Sequence, residues 1–303
     1  WVFHAGILLN VVLGYYEYFS GHRLIPLTVG NIIVFGEWRS AALLGHPLTA
    51  SGLIAAYVMA LLVRPAILPA VIRLPVMAFC FVSLMVFGGR TALMTALVVM
   101  GFLVGWKSFR FALGGRMSLL GIIAAMCIAS LLAGAAFAAL GSGIFDKMLL
   151  RFSSDNGSAM ARFATLNLLH YLDWTELILG ADPDRITGLQ SQLGLNYGIE
   201  NFWISCVAQF GLVHTILMSI GLFCFFIDLT HRSDRGVWAI YLLMLMIAAS
   251  SVSFSSKNIQ LAQFIALITL LLPKQRRLID SRPIRRSGPA PRLALAHATR
   301  WGV

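Results

Sequence analysis

The stretch LPVMAFCFVSLMVFGGRTALMTALVVMGFLVGW, residues 74–106, predicts a helical hairpin, because two apolar runs meet at a pair of glycines. Gly88 and Gly89 allow the two backbones to approach closely at the corner. Each arm has about 16 residues and is about 24 Å long, which is shorter than a hydrocarbon core of about 30 Å. We therefore expect Arg90 to lie at or just below a membrane surface, facing protein or a wet cavity.

The composition of the whole chain is typical of a membrane protein. Of its 303 residues, 59% are hydrophobic and only 12% are charged, whereas soluble domains average about 25% charged residues. The net charge of +11 arises from Lys and Arg in the C-terminal tail and in short loops, which argues against a nucleic-acid partner. Trp1 already lies in an apolar run, so we expect further helices to precede it.

Eight apolar runs are candidates for spanning helices, which need roughly 17–25 mostly apolar residues. The predicted fold class is an all-α integral membrane protein, a polytopic helical bundle with about eight spanning helices. We expect a membrane domain over residues 1–273 and a basic, mostly disordered tail over residues 274–303 that lies against anionic lipid headgroups. The runs are residues 1–16, 43–63, 74–89, 91–106, 117–140, 202–227, 236–252 and 259–272.

The distribution of charge predicts the orientation of the bundle. If the tail is cytoplasmic, alternation along the chain places residues 64–73, 107–116 and 228–235 on the same side. That side then carries 15 of the 23 Lys and Arg residues, and the opposite side carries nine of the 12 acidic residues. Both biases agree with the positive-inside rule, so we expect the long loop 141–201 to lie outside the cytoplasm.

The long loop carries its own structural signals. Its stretch SAMARFATLNLLHYL has apolar residues at helical spacing, which predicts a helix lying along the membrane surface. The stretch GADPDRITG, by contrast, is typical of a turn. Loops of more than about 15 residues in a compact domain are usually functional or disordered, and this one is not low-complexity.

Five polar residues on the predicted outer face are candidates for a functional site, and each also has a structural interpretation. Arg90 is either paired in a site or reaches for headgroups. Arg162 lies on the loop helix, with a side chain shaped to bind phosphate or simply to be solvated. Arg39 precedes the run 43–63, and His46 comes directly before Pro47, which suits the first turn of a helix. His46 either acts as an acid, base or hydrogen-bond donor or fills polar space in a loop. Glu200 is either a general base or a helix cap.

Several classes of function lack support in the sequence. It contains no H-E-x-x-H motif, no P-loop and no paired acidic residues inside the apolar runs, so a metal site, an ATPase and a proton-coupled transporter are not indicated. The four cysteines each lie inside an apolar run and form no C-x-x-C pair, which indicates buried apolar packing and not a disulfide framework or a zinc site: Cys80, Cys127, Cys206 and Cys224.

Four stretches, taken in order, resemble the O-antigen ligase and O-antigen polymerase superfamily, and within it the exopolysaccharide polymerases. They are RSAALLGHPLTASG, FGGRTALMTALVV, ARFATLNLLHYLDWTELILGAD and NFWISCVAQFGLVHTIL. The resemblance implies a metal-independent, inverting glycosyltransferase of the bacterial inner membrane, without cofactor, with its active site facing the periplasm. It implies as partners an undecaprenyl-pyrophosphate-linked oligosaccharide, membrane lipids, and envelope-assembly or chain-length proteins.

The resemblance also implies roles for the candidate residues. Arg90 and Arg162 match outer-face arginines that hold the lipid-linked pyrophosphate, and we group Arg39 with them. His46 lies in a Gly-His-Pro sequence similar to that of the family. Where the family often has His or Asp, this chain has Glu200 followed by Asn201. We therefore expect Glu200 and His46 to be the catalytic candidates, with Glu200 accepting a proton from an acceptor hydroxyl.

Three other functions are compatible with the same sequence features. A ligase would move finished glycan onto lipid A core, and the sequence separates it poorly from a polymerase. A lipid-linked sugar transporter or flippase would move its substrate without forming a bond. A structural subunit of an envelope assembly would tolerate substitution of the outer-face arginines.

Overall fold

A computed structural model describes residues 1–29, 32–33, 38–112, 146, 150, 158–195, 198–199, 201–250 and 259–274. The architecture is mostly helical, with one short antiparallel pair formed by β1 (Thr28–Val29) and β2 (Ile32–Ile33). The helices are α1 (Val2–Ser20), α2 (Pro47–Val63), α3 (Ala70–Phe87), α4 (Arg90–Ala112), α5 (Ser158–Leu168), α6 (Trp174–Leu179), α7 (Pro183–Gln192), α8 (Phe202–Arg232), α9 (Trp238–Ser250) and α10 (Gln260–Leu271).

Helix α2 is the centre of the bundle and packs against α3, α4, α9 and α10. Nearly all of its side chains are buried, as expected for a helix that is apolar on every face. Small residues let its neighbours approach closely. A Cβ atom at Gly52 would lie 3.1 Å from Ile247 and would overlap the side chain of Gln260. The sequence places this helix correctly but does not show that it is the central one.

The charged loops of one predicted side meet at one end of the bundle, called here the Arg64 end. The Arg64 guanidinium donates to the carbonyls of Leu271 (3.1 Å) and Pro273 (2.9 Å), at the end of α10. The N–H of Asp234 donates to the carbonyl of Leu272 at 2.8 Å. The end of α2, the turn before α9 and the start of the tail therefore lie together, as alternation along the chain requires.

The predicted hairpin is confirmed, with α3 and α4 as its arms and Gly88-Gly89 as its corner. Gly88 has a φ of 65° and ends α3 by donating its N–H to the carbonyls of Leu84 and Met85. The arms have 18 and 23 residues, or about 27 and 35 Å. The expectation of short arms was wrong, because α3 begins at Ala70, before the apolar run, and α4 continues beyond it to Ala112. In the first turn of α3, the side chain of Arg73 donates to the Pro65 carbonyl.

Seven of the eight predicted runs coincide with helices. The eighth run, 117–140, lies outside the described residues, as do the loop 251–258 and the tail beyond Lys274. Two described helices, α3 and α8, are long and apolar enough to cross a membrane. The helical architecture is thus confirmed, and a larger number of spanning helices is part of the proposal below.

Helix α8 is interrupted at Gly211, where φ is 79° and ψ is 167°. The break separates residues 202–210 from residues 212–232. The second part has 21 residues, so it is about 31 Å long and can cross a hydrocarbon core of about 30 Å by itself. The first part, residues 202–210, is therefore not needed to span the membrane. The predicted apolar run gave no indication of this division.

The first part of α8 carries a small module formed by residues 158–195 and 198–199. Ile204 and Ala208 of α8 pack into its apolar core, whose other members are Leu168, Ala181, Ile186, Leu195 and Ile199. The helix predicted in the loop is confirmed as α5. The turn predicted at GADPDRITG was wrong, because Asp182 accepts from the N–H of Asp184 at 2.8 Å and caps α7. Pro183 then occupies the first helical position, which suits proline.

Gly180 packs against the break in α8 and fastens the module to it. A Cβ atom at Gly180, where φ is 97°, would lie 2.6 Å from the carbonyl oxygen of Gln209. Gly180→Ala is expected to loosen the module, because strain of about 1–3 kcal/mol adds to the clash. Limited proteolysis should then cut residues 158–199 faster. Gly188→Ala is the matched control, since nothing lies within 4 Å of its Cβ position, and unchanged cleavage of Gly180→Ala would contradict the prediction.

Candidate functional site

Arg39 lies directly against the hairpin corner. A Cβ atom at Gly88 would lie 2.6 Å from both Cγ and Cδ of Arg39, so the stem of this side chain runs across the glycine. A Cβ atom at Gly89 would lie 2.5 Å from Cβ of Ser51 on α2. Both glycines are buried and Arg90, the first residue of α4, is half-buried. Only glycine permits this approach, and it places the stem of Arg39 against the residue two positions before Arg90.

Glu17 holds the segment that carries Arg39. Its side chain is buried in α1, and one oxygen, Oε2, accepts from the N–H groups of Ala41 and Ala42 at 2.9 Å each. The other, Oε1, accepts from the N–H of Leu24 at 2.8 Å. Ala42 has a φ of 49°, and a left-handed residue of this kind turns successive N–H groups toward one anion. The carboxylate thus fixes the backbone between Arg39 and His46.

The same face of α1 makes further bonds to this segment. The side-chain oxygen of Asn10 accepts from the N–H of Leu43 at 3.0 Å. The Ser40 hydroxyl donates to the Gly14 carbonyl at 2.8 Å. Asn10, Gly14 and Glu17 are four and three residues apart, which places them on one side of a helix. That spacing is a signal in the sequence, but the predicted apolar run ends before Glu17, so the residue was expected to begin a loop and its role was missed.

His46 caps the N-terminus of α2. Its Nδ1 accepts from the N–H of Leu48 at 3.3 Å, and Pro47 follows at the first helical position. An Nδ1 that accepts must carry no proton, so a neutral ring in this position has its proton on Nε2. The structural interpretation of His46 is therefore supported by a contact. A role toward substrate would belong to Nε2, as a hydrogen-bond donor.

The starts of α4 and α8 are joined through the end of α9. The hydroxyl of Ser250 lies 3.0 Å from that of Thr91, the residue after Arg90. The side-chain amide of Asn201 donates to the Ala249 carbonyl at 3.1 Å. Its oxygen also accepts from two N–H groups in the first turn of α8, at 3.0 and 3.2 Å. Because Ala249 and Ser250 are adjacent in the chain, these contacts connect Asn201 with the corner of Arg90.

Three of the five predicted site residues share one end of the bundle. Arg39, Arg90 and the start of α2 at His46 lie together at the end of the bundle opposite the Arg64 end, called here the Arg90 end. His46 is five residues before Ser51, or about 7.5 Å along the helix axis. Glu200 lies outside the described residues, but Asn201 beside it belongs to the Arg90 end. Arg162 lies in α5, within the module on α8, and its side chain is outside the described part.

The arrangement gathers positive charge at one end of an apolar bundle. Arg23 also joins it, because its guanidinium donates to the Arg39 carbonyl at 2.7 Å. Half-buried guanidinium groups near helix N-termini suit a phosphate ligand, since both offer N–H donors to oxygen. Within the described part of the chain, no group of three His, Cys, Asp or Glu residues could hold a metal ion.

The comparisons with known proteins do not place the chain in a family. No protein-family model, no curated protein and no solved structure matches it.

Proposed function

We propose that this chain is an integral membrane glycosyltransferase of the polysaccharide polymerase type. It transfers an undecaprenyl-pyrophosphate-linked glycan to an acceptor glycan at the periplasmic face of the bacterial inner membrane. The observation that carries the proposal is the packing of the Arg39 side-chain stem on Gly88, two residues before Arg90. Arg39 and Arg90 thus come from separate stretches to the corner where α4 begins, and cationic groups at a helix start suit a pyrophosphate leaving group.

The proposed reaction needs a base and an anion site. An acceptor hydroxyl loses its proton to the Glu200 carboxylate and attacks the anomeric carbon from the face opposite the pyrophosphate. The new glycosidic C–O bond forms as the C–O bond to pyrophosphate breaks, and the electron pair leaves on the pyrophosphate oxygen. The configuration at the anomeric carbon inverts. Arg90 and Arg39, with Arg162 from the module, stabilise the charge that develops on the leaving group.

Asn201 supports the proposed position of the base. It is the residue next to Glu200, and its side chain ties the start of α8 to the end of α9. The Ser250–Thr91 contact continues this connection to the residue after Arg90. A base fixed in this way would keep a constant distance from the pyrophosphate site, which is what an in-line displacement needs.

The lipid-linked donor explains why the site would lie at a membrane surface. Its prenyl chain belongs in the bilayer, and its sugar belongs in water. The second part of α8 is about 31 Å long and the site lies at the bundle end away from its basic C-terminus. With the basic Arg64 end in the cytoplasm, the Arg90 end faces the periplasm. This placement also makes the remaining apolar helices membrane helices and residues 274–303 a cytoplasmic tail.

The test is a reaction with purified protein and undecaprenyl-pyrophosphate-linked repeat units in vesicles. Longer lipid-linked chains are expected, without added nucleotide sugar. Movement of the intact substrate across the bilayer without a new bond would instead identify a flippase. In cells lacking the protein, a glycan gel distinguishes a polymerase from a ligase. Single repeats still attached to their acceptor indicate a polymerase, and loss of all attachment indicates a ligase.

A further inference from the structure

We infer that α6 and the break in α8 together form a docking surface for the lipid bilayer, at the boundary between headgroups and acyl chains. The surface, called here the interface patch, consists of Trp174, Ile178, Leu179, Phe210 and Leu212. The inference rests on the membrane placement in the proposed function and is independent of the glycosyl transfer reaction.

The members of the interface patch are neighbours because two backbones touch. A Cβ atom at Gly211 would lie 2.5 Å from the carbonyl carbon of Leu179 and against the Ile178 carbonyl oxygen. The N–H of Ala181 donates to the carbonyl of Ala208 at 3.0 Å, just beyond the same crossing. Ile178 and Leu179 therefore lie beside Gly211, whose neighbours in the chain are Phe210 and Leu212.

These side chains are apolar and largely uncovered. Trp174 is 80% exposed and Leu179 is 63% exposed, and Ile178, Phe210 and Leu212 are also exposed. Trp174 and Ile178 are four residues apart and so share one face of α6. A contiguous exposed apolar area of this kind in a soluble setting would be a liability, so it indicates a partner.

Helix α7 differs from the interface patch. Most of its exposed residues are polar, among them Asp184 and Thr187. Arg185 pairs with Glu176 at 3.0 Å, which ties α7 to α6. Ile186 points instead into the core of the module. The module thus exposes apolar residues on α6 and polar residues on α7, as a segment that lies in a membrane interface does.

The occupant is a bilayer because the interface patch continues into a helix that can span one. Below Gly211, residues 212–232 expose apolar side chains along their length, including Ile216, Ile220 and Phe223. That part is long enough to cross the hydrocarbon core. Tryptophan is enriched where spanning segments meet water, which is the position of Trp174. The patch would thus hold the first part of α8 at the membrane surface, with Asn201 at the Arg90 end.

Site-directed spin labelling of the full chain tests the inference. Cys80, Cys127, Cys206 and Cys224 are replaced by Ala, and single cysteines are introduced as Leu179→Cys, Asp184→Cys or Phe223→Cys. The labelled protein is reconstituted in vesicles of phosphatidylethanolamine and phosphatidylglycerol. Collisions with oxygen, which concentrates in the bilayer, are compared with collisions with a water-soluble nickel chelate. We expect the label at 179 to favour oxygen, as at 223, and the label at 184 to favour nickel.

Each other outcome separates the two proposals. A label at 179 that resembles the label at 184, while 223 favours oxygen, overturns the docking surface and leaves the membrane placement intact. A label at 179 shielded from both reagents means that protein covers the patch, which also overturns the inference. A label at 223 that favours nickel removes the membrane placement, and the proposed function with it.

Discussion

Arg90→Ala is expected to reduce polymer to a small fraction of the wild-type amount while the protein stays in the membrane at its normal level. Arg90 begins α4 beside the two buried glycines that bring Arg39 to the corner. A charge-assisted contact between an arginine and a pyrophosphate contributes about 1.5–3 kcal/mol, which is roughly tenfold to a hundredfold or more in rate. A glycan gel measures the polymer, and an immunoblot of the membrane fraction measures the protein.

The matched control is Arg232→Ala. Arg232 is exposed at the C-terminus of α8, away from the Arg90 end, and pairs with Asp228 at 3.0 Å. Exposed pairs of this kind contribute about 0–1 kcal/mol, so polymer length and protein level should both be unchanged. Polymer of wild-type length in Arg90→Ala would remove Arg90 from the site. Loss of polymer in both variants would point to a general effect of lost positive charge.

Glu17→Ala is expected to lower the free energy of unfolding by about 3 kcal/mol or more. The substitution leaves the N–H groups of Leu24, Ala41 and Ala42 without their acceptor. The bonds of Ala41 and Ala42 are buried, and each buried donor left unsatisfied costs about 1–3 kcal/mol. Because the same bonds fix the segment from Arg39 to His46, transfer activity should fall as well. Thermal unfolding in detergent, followed by a thiol-reactive dye, gives the stability.

Two further variants test the mechanism of the Glu17 effect. Glu17→Gln should be intermediate, because the amide keeps one acceptor oxygen but turns an N–H group toward a donor. Asp228→Asn removes a carboxylate that is exposed, and its effect should stay within about 0.5 kcal/mol. A Glu17→Ala protein as stable as Asp228→Asn would show that water replaces the carboxylate and that α1 does not position the site.

The sequence was most informative about backbone features that depend on the type and spacing of residues close together in the chain. The Gly88-Gly89 corner, the helix start at Pro47 and the loop helix α5 were all predicted from residue type and spacing. The predictions were wrong where a helix includes residues that are polar or typical of turns. Arms of the hairpin extended beyond the apolar run, and GADPDRITG became a helix because Asp182 caps it. At GADPDRITG, a side-chain hydrogen bond from a capping residue to the backbone starts a helix in polar sequence.

For the site, the sequence identified individual residues but not their partners. Arg39, His46 and Arg90 were singled out as polar groups beside apolar runs. That Arg39 crosses Gly88, or that Glu17 binds the backbone at Ala41 and Ala42, involves contacts between segments far apart in the chain. No local pattern fixes such a contact, because it depends on how closely α1, α2 and α3 pack.

By itself the sequence determined an apolar helical chain, its hairpin corner and the charge asymmetry of its loops. These follow from hydrophobicity, glycine and the distribution of Lys and Arg, which act within a few residues of each other. Only the tertiary structure decided that α8 breaks at Gly211, where the carbonyls of α6 leave no room for a side chain. It also decided which ends of which helices share the Arg90 end, because close packing around α2 selects one arrangement of helices with similar apolar surfaces.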